Sequence, residues 1–153
     1  MEMTIKIKNY AELEKAFKRA PAVAAEELNK SLERIAVKVV SEAQKRAPVG
    51  KSYSHGGNLR QSIRYTKYGT SGFVVWVNAT YGVYVDQGTK PHVILPRRKK
   101  MLAFQKDGRW VFAKRVNHPG TRAQPFFTDA VAEAQTFADS ELSAGLDRII
   151  SKI

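Results

Sequence analysis

The 153-residue chain contains no cysteine. That excludes a disulfide framework, a thiolate zinc site and a cysteine nucleophile, and it fits synthesis in a reducing cytosol. Long apolar runs are missing too. No stretch approaches the ~18 uninterrupted apolar residues of a membrane helix, and Met1 to Tyr10 carry Glu2, Lys6 and Lys8 without an apolar block. Neither a membrane span nor a signal peptide is expected, which leaves a soluble protein. Acidic residues are scarce in one region only. Residues 43–128 hold 16 Lys/Arg and two acids, Asp86 and Asp107, whereas residues 1–42 hold 8 against 7 and residues 129–153 hold 2 against 5. The net charge of +12 therefore sits in the middle of the chain. Such a block repels itself and calls for an anion, either nucleic acid or an acidic protein surface. A surface kept basic for solubility alone does not require one sign to be segregated.

What is present is enough apolar material, 43% of residues with 10% aromatic, for a folded core. Neither a repeat nor a linker interrupts it, so one domain over 1–153 is expected, helical over 1–46, β-rich over 59–116 and helical over 125–153. After an extended lead (Thr4, Ile5, Ile7), Asn9 can cap a first helix running past Phe17 to Arg19, with Pro21 interrupting it. From Ala22 to Arg46 the apolar residues Leu28, Leu32, Ile35, Ala36, Val39, Val40 and Ala43 keep one helical face, and Glu27, Lys30, Glu33, Arg34, Lys38 and Glu42 read as the solvated one. Pro48 and Gly50 end the helix, and a polar loop containing His55 follows. Leu59–Tyr68 and Phe73–Ala79 alternate as strands, with Leu59 and Ile63 on one face and the second strand covered on both sides. Tyr81–Gln87 is a short apolar element that Gly88 can stop with a positive φ. Asp107-Gly108 between Met101–Lys106 and Arg109–Arg115 is a strong hairpin signal. Asn117–Gln124 reads as a loop. Pro125 opens a last helix whose stripe includes Phe127, Ala130, Val131, Ala134, Leu142, Leu146 and Ile149, weakened at Gly145. The predicted class is α+β: a long N-terminal helix, a central antiparallel sheet with hairpins, and a long C-terminal helix packed on the sheet.

Catalytic chemistry finds little support. His55, His92 and His118 stand singly beside Gly or Pro, without metal-ligand spacing, and a site assembled in the fold from Asp86, His92 and His118 is the one remaining possibility. Phosphate-binding glycine patterns and paired carboxylates are lacking in the middle block. No enzyme activity, metal or cofactor is expected. The binding candidates are Arg97, Arg98, Lys99, Lys100, Lys106, Arg109, Lys114, Arg115 and Arg122, nine bases with one acid among them, interleaved with Phe104, Trp110 and Phe112. These aromatics read as core rather than as stacking platforms. The bases can contact phosphates without sequence preference, or pair with an acidic neighbouring subunit.

Three segments carry a family likeness: Arg46-Ala-Pro-Val-Gly50 with Gly57-Asn-Leu-Arg-Gln-Ser-Ile63, Tyr81-Gly-Val-Tyr-Val-Asp-Gln-Gly-Thr89, and His118-Pro-Gly-Thr-Arg-Ala-Gln-Pro-Phe-Phe127. In this order they resemble the neck, head–tail joining and tail-component proteins of long-tailed, lambda-like phages and prophages, the gene-ten-product-like family. There a helix ends in A-P-x-x-T-G, followed by G-L-R-x-S-I, Y-A-x-x-V-E-x-G-T and a final x-P-F-L. The likeness covers roughly residues 25 to 140. The matching positions are Pro48, Gly50, Leu59, Arg60, Ser62, Ile63, Tyr81, Gly88, Thr89, Pro125, Phe126 and Phe127. Asp86 replaces the usual Glu, Gln87 stands where an aromatic is frequent, and Lys51–His55 is insertion-like.

The resemblance implies a virion structural protein made in the bacterial cytoplasm, forming or completing the head–tail junction as an oligomeric ring. It implies as partners further copies of the chain, the adjoining head-completion and tail-terminator or tail-tube proteins, and packaged DNA in passing. On the residues alone, a free non-specific nucleic-acid-binding module stays open beside it. Tyr81, Tyr84, Phe126 and Phe127 are expected as core in preference to subunit contacts.

Overall fold

A computed structural model describes residues 10–50, 57–70 and 72–153. The extended lead, the Asn9 cap and His55 lie outside them, as does the side chain of Phe17. The chain forms two compact units, a helical one (Met1–Ala79 with Phe126–Ile153) and a β-rich one (Thr80–Pro125).

In the helical unit, α1 (Tyr10–Arg46) is one continuous helix. The interruption expected at Pro21 does not occur. Pro21 is exposed, so water can serve the carbonyl that its missing N–H leaves free. The helix stops where Pro48 disfavours helical backbone at Ala47, and Lys45 and Arg46 complement the negative end of its dipole. A short helix α2 (Asn58–Ser62) and the antiparallel hairpin β1 (Ile63–Lys67) and β2 (Phe73–Val77) follow, with Ile63 opposite Val77 and Lys67 opposite Phe73. Leu59 and Ile63 are therefore not partners on one strand face. A separation of four is even, as a strand face needs, but it is also one helical turn; both side chains are buried by the latter geometry. Gln44 Nε2 donates to Ile63 O at 3.2 Å and Tyr65 Oη donates to Glu33 Oε1 at 3.1 Å, tying β1 to α1.

The long last helix, α4 (Phe126–Ile150), follows directly on Pro125 and lies mainly along α1, which also carries β1 and β2. The shared core is rich in small residues: Ser31, Ala36 and Ala43 on α1 and Ala47 just beyond it, with Ala130, Ala134 and Gly145 on α4, beside the larger Val39, Phe126 and Ile149. Small side chains let the helix axes approach closely. At Gly145 the approach is so tight that a Cβ would lie 2.6 Å from Ser31 Oγ, which explains a glycine that costs helix propensity.

In the β unit, α3 (Gly82–Gln87) is followed by two antiparallel pairs. β3 (His92–Ile94) pairs with β6 (Val116–His118), and β4 (Leu102–Lys106) pairs with β5 (Arg109–Ala113). Asp107 and Gly108 have φ of 50° and 77°, as a two-residue hairpin turn of the predicted kind requires. The α+β class stands, with the middle of the chain made of three separate two-stranded sheets. Tyr81–Gln87 resolves as helix, and Asn117 and His118 belong to a strand rather than a loop.

Candidate assembly surface

Gly88 ends α3 with φ 73°, as its position before Thr89 predicts. A Cβ there would sit 2.6 Å from Thr121 O and 2.7 Å from Ala123 N. The approach is close because Thr89 and Thr121 exchange both backbone hydrogen bonds, at 3.0 and 3.1 Å, while Gln124 N–H donates to Val85 O at 2.9 Å. Their hydroxyls also lie 3.0 Å apart. The second and third sequence motifs are thus two sides of one clamp. Gly120, which the sequence reading did not single out, mirrors Gly88: a Cβ on it would collide with Thr89 O. Its place in His-Pro-Gly-Thr, one residue before the threonine that pairs, was the available signal.

Beside the clamp, β3 and β6 set His92 opposite His118 with their rings stacked at 5.0 Å. His92 Nδ1–H donates to Lys90 O at 2.9 Å, and His118 Nδ1 accepts from Gly120 N–H at 3.0 Å. Both rings are thereby engaged by the backbone. Asp86 does not join them: it is buried in α3, and among the described residues no three His, Asp or Glu side chains are grouped to hold a metal. A shallow cleft of about 560 Å³, lined by Val83, Tyr84, Gln87, Gly88, Thr89, Lys90 and His92, contains no carboxylate.

The nine bases are distributed over the unit's loops and hairpin ends. Arg97–Lys100 join β3 to β4, Lys106 and Arg109 pair across the turn of the hairpin, Lys114 and Arg115 join β5 to β6, and Arg122 follows the clamp. All are exposed, and none forms an ion pair with a described residue. The aromatics among them depart from expectation. Phe104 is half-buried, but Trp110 and Phe112 are 64% and 62% exposed. Pairing puts Gln105 with Trp110 and Ala103 with Phe112 on one face of the hairpin, and Leu102, Phe104, Val111 and Ala113 on the other. A two-stranded sheet without a second covering layer shelters one face only. For the same reason β2 is not covered on both sides: Val74 and Trp76 are exposed. Tyr81 and Tyr84 are also exposed, whereas Phe126 is buried and Phe127 half-buried.

Other matched positions are structural. Arg60 Nη2 donates to Ala47 O at 3.3 Å and Ser62 Oγ to Leu59 O at 2.7 Å, so the first motif closes on itself around the end of α1. Pro48 is half-buried and Gly50 exposed.

The helical unit handles charge differently. Glu27 and Glu42, expected on a solvated face, are 2% and 7% exposed. Lys152 Nζ and Lys30 Nζ donate to Glu27 at 2.7 and 3.1 Å, and these bonds hold its carboxyl at about 2 instead of 4.5. Lys38 and Lys45 do the same for Glu42, each at 2.9 Å. Glu141 accepts from Arg34 at 2.8 Å and Arg148 at 2.6 Å, and the Arg34 bond is the main cause of its lowered pKa. Ser31 Oγ links the two sides, donating to Glu141 at 3.2 Å and accepting from Arg148 at 3.0 Å. Arg46 pairs with Glu133. The sequence signal was present in Glu27 and Ser31, one turn apart beside the apolar stripe.

The family model described as "Bacteriophage HK97-gp10, putative tail-component" matches residues 11–88, about half of the chain, from α1 through the glycine of the clamp. No curated protein and no solved structure gives a match. Among the described residues, no helix is long and apolar enough to cross a membrane.

Proposed function

This chain belongs to that phage tail-component family, and from that premise we propose that it builds an oligomeric ring that forms or completes the junction between capsid and tail. Family membership makes it a structural protein of a phage tail. The finer assignment is supported above all by one observation: the β unit carries ten Lys/Arg against two acids, its bases are exposed, and Tyr81, Tyr84, Trp110 and Phe112 are exposed with them. A free subunit would keep few such groups unpartnered; an assembly subunit needs them. The bases at Arg97–Lys100, Lys106, Arg109, Lys114, Arg115 and Arg122 face an acidic adjoining ring or the DNA that passes, and no catalytic step is involved. Cryo-microscopy of the virion tests this directly. Density for the chain is expected as a ring at the neck or the upper end of the tail, and its absence from both overturns the reading.

A second reading is kept alive by the exposure of Trp110 and Phe112 amid bases, which is how single-strand binders offer stacking platforms. It predicts that the isolated chain binds oligonucleotides with a steep salt dependence, and that Arg97→Glu with Arg98→Glu abolishes this. Binding that is weak and indifferent to both substitutions removes it.

A further inference from the structure

Independently of the ring reading, we propose that two copies of the chain join edge to edge through β2 of the helical unit, the two strands antiparallel. The hydrogen bonds at the two ends of the β1–β2 hairpin fix which backbone groups point outward. Asn78 N–H donates to Ser62 O at 3.0 Å, and Tyr68 N–H donates to Gly72 O at 2.8 Å. With Ile63 opposite Val77, the bonded pairs between those ends are Arg64 with Trp76 and Thr66 with Val74. The N–H and C=O groups of Phe73, Val75 and Val77 therefore point away from β1. Among the described residues they meet no partner. An open edge is ordinarily blunted by a charge, a proline or a very short strand. Each of the other five strands has such a device. β1 carries Arg64 and Lys67, and Gln44 Nε2 already occupies Ile63 O at its outer edge. β4 carries Lys106 and β5 carries Arg109. β3 and β6 are three residues long and adjoin Pro91 and Pro119. β2 is Phe-Val-Val-Trp-Val, strand-favouring at every position and without a charge.

That contrast selects the occupant. Any other strand of the chain would bring a cation or a proline to the ladder, whereas a second β2 brings neither. Its register is also self-complementary. With Val75 opposite Val75 of the second copy, Phe73 stands opposite Val77, and each of these residues exchanges both backbone bonds with its opposite number. On the outer face Trp76 then lies against Val74 of the second copy, and Val74 against Trp76. Aromatic and β-branched side chains pair well across strands, and these two are 38% and 41% exposed in the single chain. Charge argues the same way. Copies of net charge +12 repel, and here they meet on a stretch that carries none. Their β1 strands, with Arg64 and Lys67, stand three strand spacings apart, roughly 14 Å, beyond the ~8 Å screening length at physiological salt. The four-stranded sheet ends on both sides at the blunted edge of β1, so the pairing closes at two copies. A contact of one strand pair is small, which makes the dimer dependent on concentration.

Sedimentation of the purified chain over a concentration series, with amide exchange followed residue by residue by NMR, tests this. A monomer–dimer equilibrium is expected, and the exchange pattern should alternate. The amides of Phe73, Val75 and Val77 should slow as the dimer fills, while those of Val74 and Trp76, bonded within the hairpin, are protected at every concentration. Val75→Pro removes an outward N–H and spares every bond between β1 and β2; Val74→Lys supplies the missing gatekeeper charge. Each should weaken the dimer roughly tenfold or more while the circular dichroism of the monomer is retained. A chain that stays monomeric at millimolar concentration overturns the proposal, as does a dimer in which the three outward amides exchange as in the monomer. Protection of those amides in the virion alone assigns the edge to a strand of another protein and overturns it too. A ring in the virion without the dimer leaves the ring reading standing, and the dimer without a ring leaves this contact standing.

Discussion

In the helical unit each buried acid meets a base within hydrogen-bond reach, whereas in the β unit ten bases face solvent with two acids among them. The contrast extends to apolar side chains. Ala43 and Ala130 are fully enclosed between α1 and α4, while Trp110 and Phe112 stand open on a two-stranded ribbon. One unit has a packed core and pairs its buried acids within the chain. The other has its shape fixed, by a backbone clamp rather than by a packed core, but its surface chemistry is left for another molecule.

If the clamp replaces a core, it is the place where the β unit is most fragile. Gly120→Ala puts a methyl into Thr89 O at a positive φ, and Gly88→Ala meets two backbone atoms; each should destabilise the unit by about 3 kcal/mol, since backbone cannot yield as a side chain can. Thermal unfolding with hydrogen exchange on residues 80–125 would show it, and a loss below 1 kcal/mol would mean that the clamp is not what fixes this unit.

Gly145→Ala probes the complementary point in the helical unit. It should cost about 1–3 kcal/mol, because overpacking against the doubly bonded Ser31 outweighs a propensity gain of about 1 kcal/mol. In a Ser31→Ala background the nearest obstruction moves to 3.6 Å, and the cost should largely vanish. Chemical denaturation of the four proteins completes the cycle.

A smaller effect is expected from acid. Glu27 and Glu42 are held at about 2 from 4.5, so their ion pairs stabilise the folded state above pH 4.5 and that contribution is lost as pH falls from 4.5 towards 2. Glu27→Gln should lower stability at pH 7 and flatten the acid limb of the melting profile; an unchanged limb contradicts the assignment. The smallest effect should come from the most conspicuous substitution. Trp110→Ser removes a large aromatic, yet an exposed one, and should change the stability of the free chain by less than about 0.5 kcal/mol. A core tryptophan would cost about 3–5 kcal/mol, so the melting curve separates a free face from a buried one.

The long helices were legible because period and punctuation agree: Pro48 and Pro125 mark their limits, and the stripes of α1 and α4 repeat over many turns. Asp107-Gly108 was legible for the same reason, since few dipeptides fit that turn. Pro21 misled because an isolated proline on an exposed helix side is tolerated by solvation, which the residue itself does not announce. Leu59 and Ile63 misled because their spacing satisfies two periods. Trp110, Phe112, Tyr81 and Tyr84 misled for a deeper reason: hydrophobicity says that a side chain seeks cover, not that the cover belongs to the same chain. The basic residues of the surface were readable from composition, but the clamp that carries them depends on Thr89 and Thr121, 32 residues apart and unremarkable by type.

The central claim is that the open face of the β unit is closed by assembly. Hydroxyl-radical footprinting of Trp110, compared between the purified chain and the intact virion, addresses it most directly. Strong labelling of the free chain and protection in the particle is the predicted result; equal labelling in both would contradict it.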